Sequence, residues 1–201
     1  ESHCDIGRPE NDAQLRAYVE SVQPDAVIHT ACLYGRQGES TQQLTDANVR
    51  LGLGLLDALR GTNKPVTFIN TGTALAPTVN AYALSKHQFC QWGELSSAQA
   101  DSPIQWINVQ LEHMYGPGDD ASKFTTHVIR CCMRHVPSIP LTAGEQRRDL
   151  IYIEDVVRAY RTLVNESDSL PRSTDIPVGS GSAPTIREFV ETVHRLTGST
   201  T

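Results

Sequence analysis

The chain has 201 residues, of which 39% are hydrophobic and 20% are charged, and its formal net charge is −6. This composition is typical of a globular protein with one well-formed core. The acidic balance argues against nucleic acid or an anionic membrane surface as the main partner, and no segment approaches the ~18 apolar residues that a membrane span needs.

Predicted helices and strands alternate from the start of the chain. NDAQLRAYVESV has apolar residues at helical spacing, with Asn11 or Asp12 as the N-cap, and Pro24 ends this helix. DAVIHTA is a short apolar strand. TQQLTDANVRLGLGLLDALRG predicts a second helix that Gly61 ends, and VTFIN predicts the next strand.

The alternation continues to the other end of the chain. A helix with Tyr82 and Lys86 runs to about Leu95, and the strand IQWINVQL and the turn-rich loop YGPGDDAS follow. The remaining segments are predicted as helix KFTTHVIRCCMRH, strand DLIYI, helix DVVRAYRTLV, strand TDIPV and helix PTIREFVETVHRLTG. Thr185 and Glu188 form a capping box for the last helix. Single helices between strands predict an α/β fold with a Rossmann-like parallel sheet, which binds ligands at the carboxyl ends of its strands.

Tyr82 and Lys86 are four residues apart, so they lie on one face of their helix. A free tyrosine has a pKa near 10, and a nearby ammonium lowers that pKa toward the range where the phenol can exchange a proton. Thr71 and Thr73 follow the preceding strand and can supply a hydroxyl that holds a substrate oxygen. The alternative reading of this helix is a core tyrosine and an exposed lysine.

Six segments in order along the chain resemble the extended short-chain dehydrogenases/reductases, the NAD-dependent epimerase/dehydratase family. They are DAVIHTA, DANVRLGLGLLDAL, FINTGTAL, YALSK, LEHMYGPGD and TAGEQRRDLIYIEDVVRAY. Within the family, FINTGT, YALSKHQF, LEHMYGPGDDASKF and TAGEQRRD look closest to the CDP-abequose synthase-like nucleotide-sugar 4-ketoreductases. The resemblance therefore implies a Rossmann-like enzyme that reduces a 4-keto nucleotide sugar, linked to CDP or dTDP, with NADP or NAD and with NADPH favoured.

The resemblance also implies a role for each matched residue. Tyr82 would be the general acid, Lys86 would lower its pKa and hold the nicotinamide ribose, and Thr73 would bond the reacting oxygen. Asn48 would support the proton relay. The implied cofactor contacts are Asp5, Ile6, Ala31, Cys32, Thr71, Tyr82 and Lys86. The implied substrate contacts are Gln110, His113, Lys123, Phe124 and Arg148, and the implied assembly is a homodimer.

Some features depart from the family pattern. Thr73 replaces the commoner Ser, Cys32 replaces an Ala, and Gln110 and His113 stand where most members have Arg and Asn. The glycine-rich loop that should bind the pyrophosphate is not found, since Pro184 follows Gly179-Ser180-Gly181 where a third glycine belongs. We therefore expect the chain to begin near the third strand of the fold.

The expected domains are a partial dinucleotide-binding Rossmann domain over 1–113 and a mixed substrate-binding lobe over 114–201. The lobe's strands and helices are expected to return to the Rossmann domain.

Two other functions stay open: an epimerase of the same family, and a non-catalytic remnant that acts as a binding or interaction module. Ala74 and Leu75 stand where dehydratases of the family usually carry an acidic pair, which argues against dehydration.

The remaining polar and aromatic residues favour simpler interpretations. The five cysteines include no C-x-x-C pair and the N-terminus shows no secretion signal, so reduced thiols in a cytoplasmic protein are expected. The histidines show no metal-ligand spacing, so no metal site is predicted. His29 is expected to be structural, and Trp92 and Trp106 are expected to lie in the core.

Overall fold

The computed structural model describes residues 11–200. Seven α-helices lie in this range: α1 (Asp12–Val22), α2 (Thr41–Thr45), α3 (Leu51–Thr62), α4 (Ala81–Ala98), α5 (Phe124–Met133), α6 (Ile153–Asn165) and α7 (Ile186–Thr197). Six strands accompany them: β1 (Ala26–His29), β2 (Val66–Thr71), β3 (Ile104–Leu111), β4 (His113–Tyr115), β5 (Leu150–Tyr152) and β6 (Ser173–Val178). A π-helical turn, Asp46–Arg50, joins α2 to α3.

The main sheet has four strands in the order β1-β2-β3-β6. β2 pairs in parallel with β1 on one side and with β3 on the other, which confirms the predicted α/β fold with a parallel sheet. The strands β4 and β5 form a separate parallel pair. The prediction that Tyr115 begins a turn-rich loop was wrong, because the three residues of β4 before the Gly-Pro-Gly turn are too few to show strand alternation.

Local hydrogen bonds fix the helix ends. The Asn11 side chain accepts from the Gln14 N–H at 3.0 Å, so Asn11 is the N-cap of α1. The capping box of Thr185 and Glu188 is present at α7. The prediction that Gly61 ends α3 was wrong, since Asn63 ends the helix in the left-handed conformation that closes its last turn.

Three aromatic rings form the centre of the core on the main sheet. Phe68 of β2 stacks on Trp106 of β3 at 5.2 Å between ring centroids, and Phe89 of α4 meets Trp106 edge-on at 5.6 Å. A Cβ added to Gly93 would lie 2.2 Å from the Trp106 ring, so glycine lets α4 approach the sheet. The prediction that Trp92 lies in the core was wrong, because 50% of its surface is exposed on the outer side of α4.

The chain divides into two compact units. Within the described range, the first comprises residues 11–110 and 164–177, and the second comprises 111–163 and 178–200. In the second unit, Val128 and Cys132 of α5 pack with Val193 of α7. Over residues 11–200, no helix combines the length and the apolar character that crossing a membrane requires.

Candidate active site

Helix α4 presents Tyr82 and Lys86 on its inner side. The Asn80 side chain caps the helix by accepting from the Ala83 N–H at 2.8 Å, so the first turn, which carries Tyr82, is well defined. Lys86 is only 2% exposed, and its Nζ has no hydrogen-bond partner among the described residues. Burial lowers the pKa of Lys86, while the nearby Cys32 and Cys90 thiols oppose that change. The reading of Lys86 as an exposed surface lysine is therefore wrong.

The Tyr82 phenol on α4 is mostly buried, and it lies near the loop that follows β1 and the residues that follow β2. Burial raises its pKa, and the Cys32 thiol and the Tyr34 phenol add to the rise. The Thr73 hydroxyl interacts with the phenol and, together with the charge of Arg36, opposes the rise. The expected lowering of this pKa by Lys86 is not seen, so Tyr82 holds its proton firmly in this structure.

Asn48 clamps the loop after β1 onto helix α4. Its side chain is fully buried in the π-helical turn, accepts from the Leu33 N–H at 2.7 Å and donates to the Leu33 carbonyl at 2.9 Å. Its Nδ2 also donates to the Ser85 Oγ at 2.9 Å. Asn48 therefore connects to Tyr82 and Lys86 through Ser85, which lies between them on α4.

The other predicted cofactor residues fall into three groups. Ala31 is exposed in the loop after β1, and the neighbouring Cys32 has a partly buried thiol beside Tyr82 and Lys86. Thr71 ends β2, opposite Val109. The predicted residues Asp5 and Ile6 lie outside the described residues.

In the second unit, the structure brings His113 and Arg148 together. Burial lowers the pKa of the His113 imidazole and the Arg148 charge lowers it further, while Glu112, at 3.7 Å, opposes both. Arg148 is exposed, and its guanidinium donates to the Arg147 carbonyl at 2.7 Å. An exposed guanidinium beside a half-buried imidazole is suited to contacts with phosphate oxygens.

The Gly179-Ser180-Gly181 turn already binds an anion of the chain itself. The Asp149 carboxylate accepts from the Ser180 N–H at 2.7 Å and from the Gly181 N–H at 2.9 Å. Burial raises the pKa of Asp149, but these hydrogen bonds outweigh it and the pKa is lowered. Because these N–H groups are used by Asp149, the turn does not present them to a pyrophosphate.

The three remaining predicted substrate residues lie apart along the chain. Gln110 is half-buried near the end of β3. Lys123 precedes α5 and pairs with Asp119, with 2.7 Å between Nζ and Oδ1. Phe124 begins α5 and packs against Phe189 of α7 at 6.1 Å between ring centroids.

Sequence reasoning missed two residues that shape the surroundings of Tyr82. The Tyr34 ring lies 5.0 Å from the Tyr82 ring, and the Arg36 guanidinium lies over the Tyr34 ring at 5.2 Å. Both belong to the segment between β1 and α2. The sequence LYGRQG gave no signal beyond being a polar loop that follows the carboxyl end of a strand.

One group of potential metal ligands occurs within the described ranges. Atoms of Cys90, Glu94 and Asp175 lie within 4.8 Å of one another. However, the Cys90 thiol donates to Glu94 at 3.4 Å, and burial raises its pKa to about 12. Because the thiolate is the form that binds metals, we assign no metal to this group.

The chain is similar in sequence to known proteins of one enzyme family. The family model described as the NAD dependent epimerase/dehydratase family matches residues 3–179. CDP-abequose synthase of Salmonella typhimurium (strain LT2) is 34% identical over 82% of this chain, and that of Salmonella muenchen is 30% identical over 87%. The chain spans 56% and 60% of the length of these two relatives.

A solved structure shows the same fold. The structure of MoeE5 in complex with UDP-glucose and NAD superposes with a TM-score of 0.79 at 22% identity. The match covers 92% of this chain and 65% of MoeE5.

Proposed function

This chain belongs to the NAD dependent epimerase/dehydratase family, and we propose that the protein of which it is part reduces the 4-keto group of a nucleotide sugar. The proposed substrate is a deoxyhexose linked to CDP or dTDP. The observation that carries the proposal is the placement of a protonated Tyr82 beside the Thr73 hydroxyl, next to the buried Lys86. The relatives named CDP-abequose synthase support the choice of substrate.

The residues of this chain would supply the proton and orient the carbonyl. When bound, NAD(P)H supplies the hydride that adds to the carbonyl carbon. As the carbon–oxygen double bond becomes a single bond, Tyr82 gives its phenolic proton to the oxygen, which leaves an alcohol and a tyrosinate. The Thr73 hydroxyl donates a hydrogen bond to the same oxygen. The raised pKa of Tyr82 keeps the proton in place until the oxygen becomes basic enough to take it.

The buried ammonium of Lys86 fits the ribose of a dinucleotide. A charged group with no hydrogen-bond partner in the described part of the chain is costly to bury, and ribose hydroxyls are acceptors that would satisfy it. We propose that Ala31, Cys32 and Thr71 contribute to the same cofactor site. MoeE5 was crystallised with NAD, and we propose NADPH as the preferred cofactor here.

We propose that the nucleotide sugar is held by Gln110, His113, Lys123, Phe124 and Arg148. The support lies in the second unit, where the exposed guanidinium of Arg148 lies near His113. A guanidinium can bind two oxygens of a diphosphate through two parallel N–H groups held in a fixed plane, whereas a lysine ammonium acts as a point charge. The Lys123 ammonium is already paired with Asp119, so its contribution would be to orient rather than to neutralise the ligand.

A reductase assay on the full-length protein tests the proposed reaction. CDP- and dTDP-linked 4-keto deoxyhexoses are mixed with NADPH or NADH, and the consumption of the reduced cofactor and the product alcohol are measured together. Equal amounts of alcohol formed and cofactor consumed support the reductase. Interconversion of nucleotide sugars without net cofactor consumption would instead show an epimerase.

A calorimetric titration of the 201-residue chain with NADPH, in the presence and absence of CDP, tests the binding sites separately. Micromolar NADPH binding would show that these residues suffice for the cofactor. If CDP binds and NADPH does not, the chain retains a nucleotide site without a cofactor site. Binding of neither ligand would contradict both assignments for this chain.

We also propose a homodimer in the cytoplasm. Helix α4 exposes the apolar side chains of Leu84, Trp92 and Leu95 along one face, and such a surface is typical of a contact between subunits. The free state of Cys32, Cys90, Cys131 and Cys132 supports a reducing compartment.

A further inference from the structure

A row of buried polar side chains crosses the main sheet. His29, Asn70 and Asn108 are direct neighbours in register on β1, β2 and β3, and Asp175 lies on β6. The His29 Nδ1 is 3.3 Å from the Asn70 Oδ1, the Asn70 Nδ2 is 2.9 Å from the Asn108 Oδ1, and the Asn108 Nδ2 is 2.7 Å from the Asp175 Oδ1. His29, Asn70 and Asn108 are at most 5% exposed.

The carboxylate at one end determines the direction of every hydrogen bond in the row. An ionised Asp175 can only accept, so Asn108 must turn its NH₂ group toward Asp175. The Asn108 oxygen then faces Asn70, which must donate to it. The Asn70 oxygen in turn faces His29, whose Nδ1 must carry a proton to donate.

The opposite nitrogen of His29 therefore carries a lone pair. His29 Nε2 is buried and has no partner among residues 11–200. The ring lies 5.1 Å from Phe89, which is one turn after Lys86 on α4. Burial and the charge of Lys86 both favour the neutral imidazole.

We propose that His29 is a positioning residue for Lys86, and that Asp175 selects its tautomer through Asn108 and Asn70. A lone pair on Nε2 stabilises the Lys86 ammonium, whereas a proton on Nε2 would oppose it. The inference rests on the proposed function, because it gives Lys86 its part in the reduction. The network itself is open to a test that needs no catalysis.

The first experiment is ¹⁵N NMR of histidine-labelled full-length protein near pH 7. The His29 resonances are assigned by their loss in the His29→Phe variant. We expect Nδ1 to be protonated and Nε2 to be unprotonated. A protonated Nε2 in the unsubstituted protein would overturn the proposal without any variant.

The variant Asp175→Lys tests the carboxylate's control of the tautomer. It replaces an acceptor with a donor at an exposed position, beside Glu94 and Cys90. We expect the Nδ1–H form to lose its dominance. Asp168→Lys makes the same change of charge at an exposed position outside the row and should leave the tautomer unchanged. An unchanged tautomer in Asp175→Lys would contradict the proposed control.

The link to Lys86 is tested by its own titration in selectively labelled protein. His29→Phe keeps an aromatic ring and removes the Nε2 lone pair, so we expect the Lys86 pKa to fall by about one pH unit or more. An unchanged Lys86 pKa in His29→Phe would show that His29 does not position Lys86. If the reductase assay fails while the tautomer and the Lys86 titration behave as expected, the proposed reaction is wrong and the network stands.

Discussion

The Thr73 hydroxyl interacts with the Tyr82 phenol, although Thr73 follows strand β2 and Tyr82 belongs to helix α4. The contact joins two elements that meet at the carboxyl end of the sheet, where parallel sheets bind ligands. It also places two hydroxyls where a single carbonyl oxygen could meet both.

We expect Tyr82→Phe in the full-length protein to lower kcat about 10²- to 10⁴-fold, because it removes the proton donor and keeps the ring. Cofactor binding, measured by calorimetry, should persist. Tyr18→Phe on α1 makes the same chemical change away from the site and should leave kcat unchanged. Turnover of Tyr82→Phe at the original rate would remove Tyr82 from the mechanism.

Asn48→Ala is expected to lower the free energy of unfolding by about 2–4 kcal/mol, because it leaves two partly buried backbone groups of Leu33 without their partner. Urea unfolding measures the loss. Asn165→Ala, at the exposed end of α6, should change stability by less than about 0.5 kcal/mol. Similar losses in the two variants would contradict the clamping role of Asn48.

The main elements could be predicted because their signals are local. The strand VTFIN, an N-cap at Asn11 or Asp12 and the capping box at Thr185 depend on residues close in sequence. All three are present in the structure, with Asn11 as the cap. Trp92 was misplaced because α4 carries apolar residues on more than one face, so its pattern does not show which face is inside.

The chemistry of the site could be predicted only in part, because it depends on contacts between distant segments. The spacing of Tyr82 and Lys86 predicted that they share a face. It could not predict that burial, together with the Cys32 thiol and the Tyr34 phenol, would raise the Tyr82 pKa. The alignment of Asn108 with Asp175 requires the order of the strands in the sheet, which no local pattern contains.

Acid should destabilise the protein through His29. Burial, with a smaller effect of the Lys86 charge, lowers its pKa from 6.5 to about 4. The unfolded chain therefore binds this proton first, and stability is lost as the pH falls from 6.5 to about 4, by ~3 kcal/mol in total. Denaturant unfolding at several pH values measures this loss.

His29→Phe should flatten the pH dependence over that interval, since it removes the titrating group. His194→Gln, which removes an exposed imidazole on α7, should preserve most of the dependence. An equally steep dependence in His29→Phe would show that other groups cause the acid sensitivity.

Gly93→Ala should destabilise the protein by about 1–3 kcal/mol, because its Cβ would lie 2.2 Å from the Trp106 ring. Gly61→Ala in α3 is the matched control, since nothing lies within 4 Å of the added Cβ. That variant should gain about 0.5–1 kcal/mol from its better helix propensity. Opposite signs in thermal unfolding are expected, and a stabilising Gly93→Ala would contradict the close contact between α4 and the sheet.

The proposed dimer predicts a specific effect of charge on the outer face of α4. Leu95 is 56% exposed, and Leu95→Glu would place a carboxylate in an apolar subunit contact, where its desolvation is unfavourable. We expect the dimer dissociation constant to rise at least about tenfold, measured by light scattering over a dilution series. Leu196→Glu on α7 alters a leucine that is 72% exposed and should leave the dimer intact. A monomer before substitution would refute the dimer, and a dimer that persists in Leu95→Glu would place the contact elsewhere.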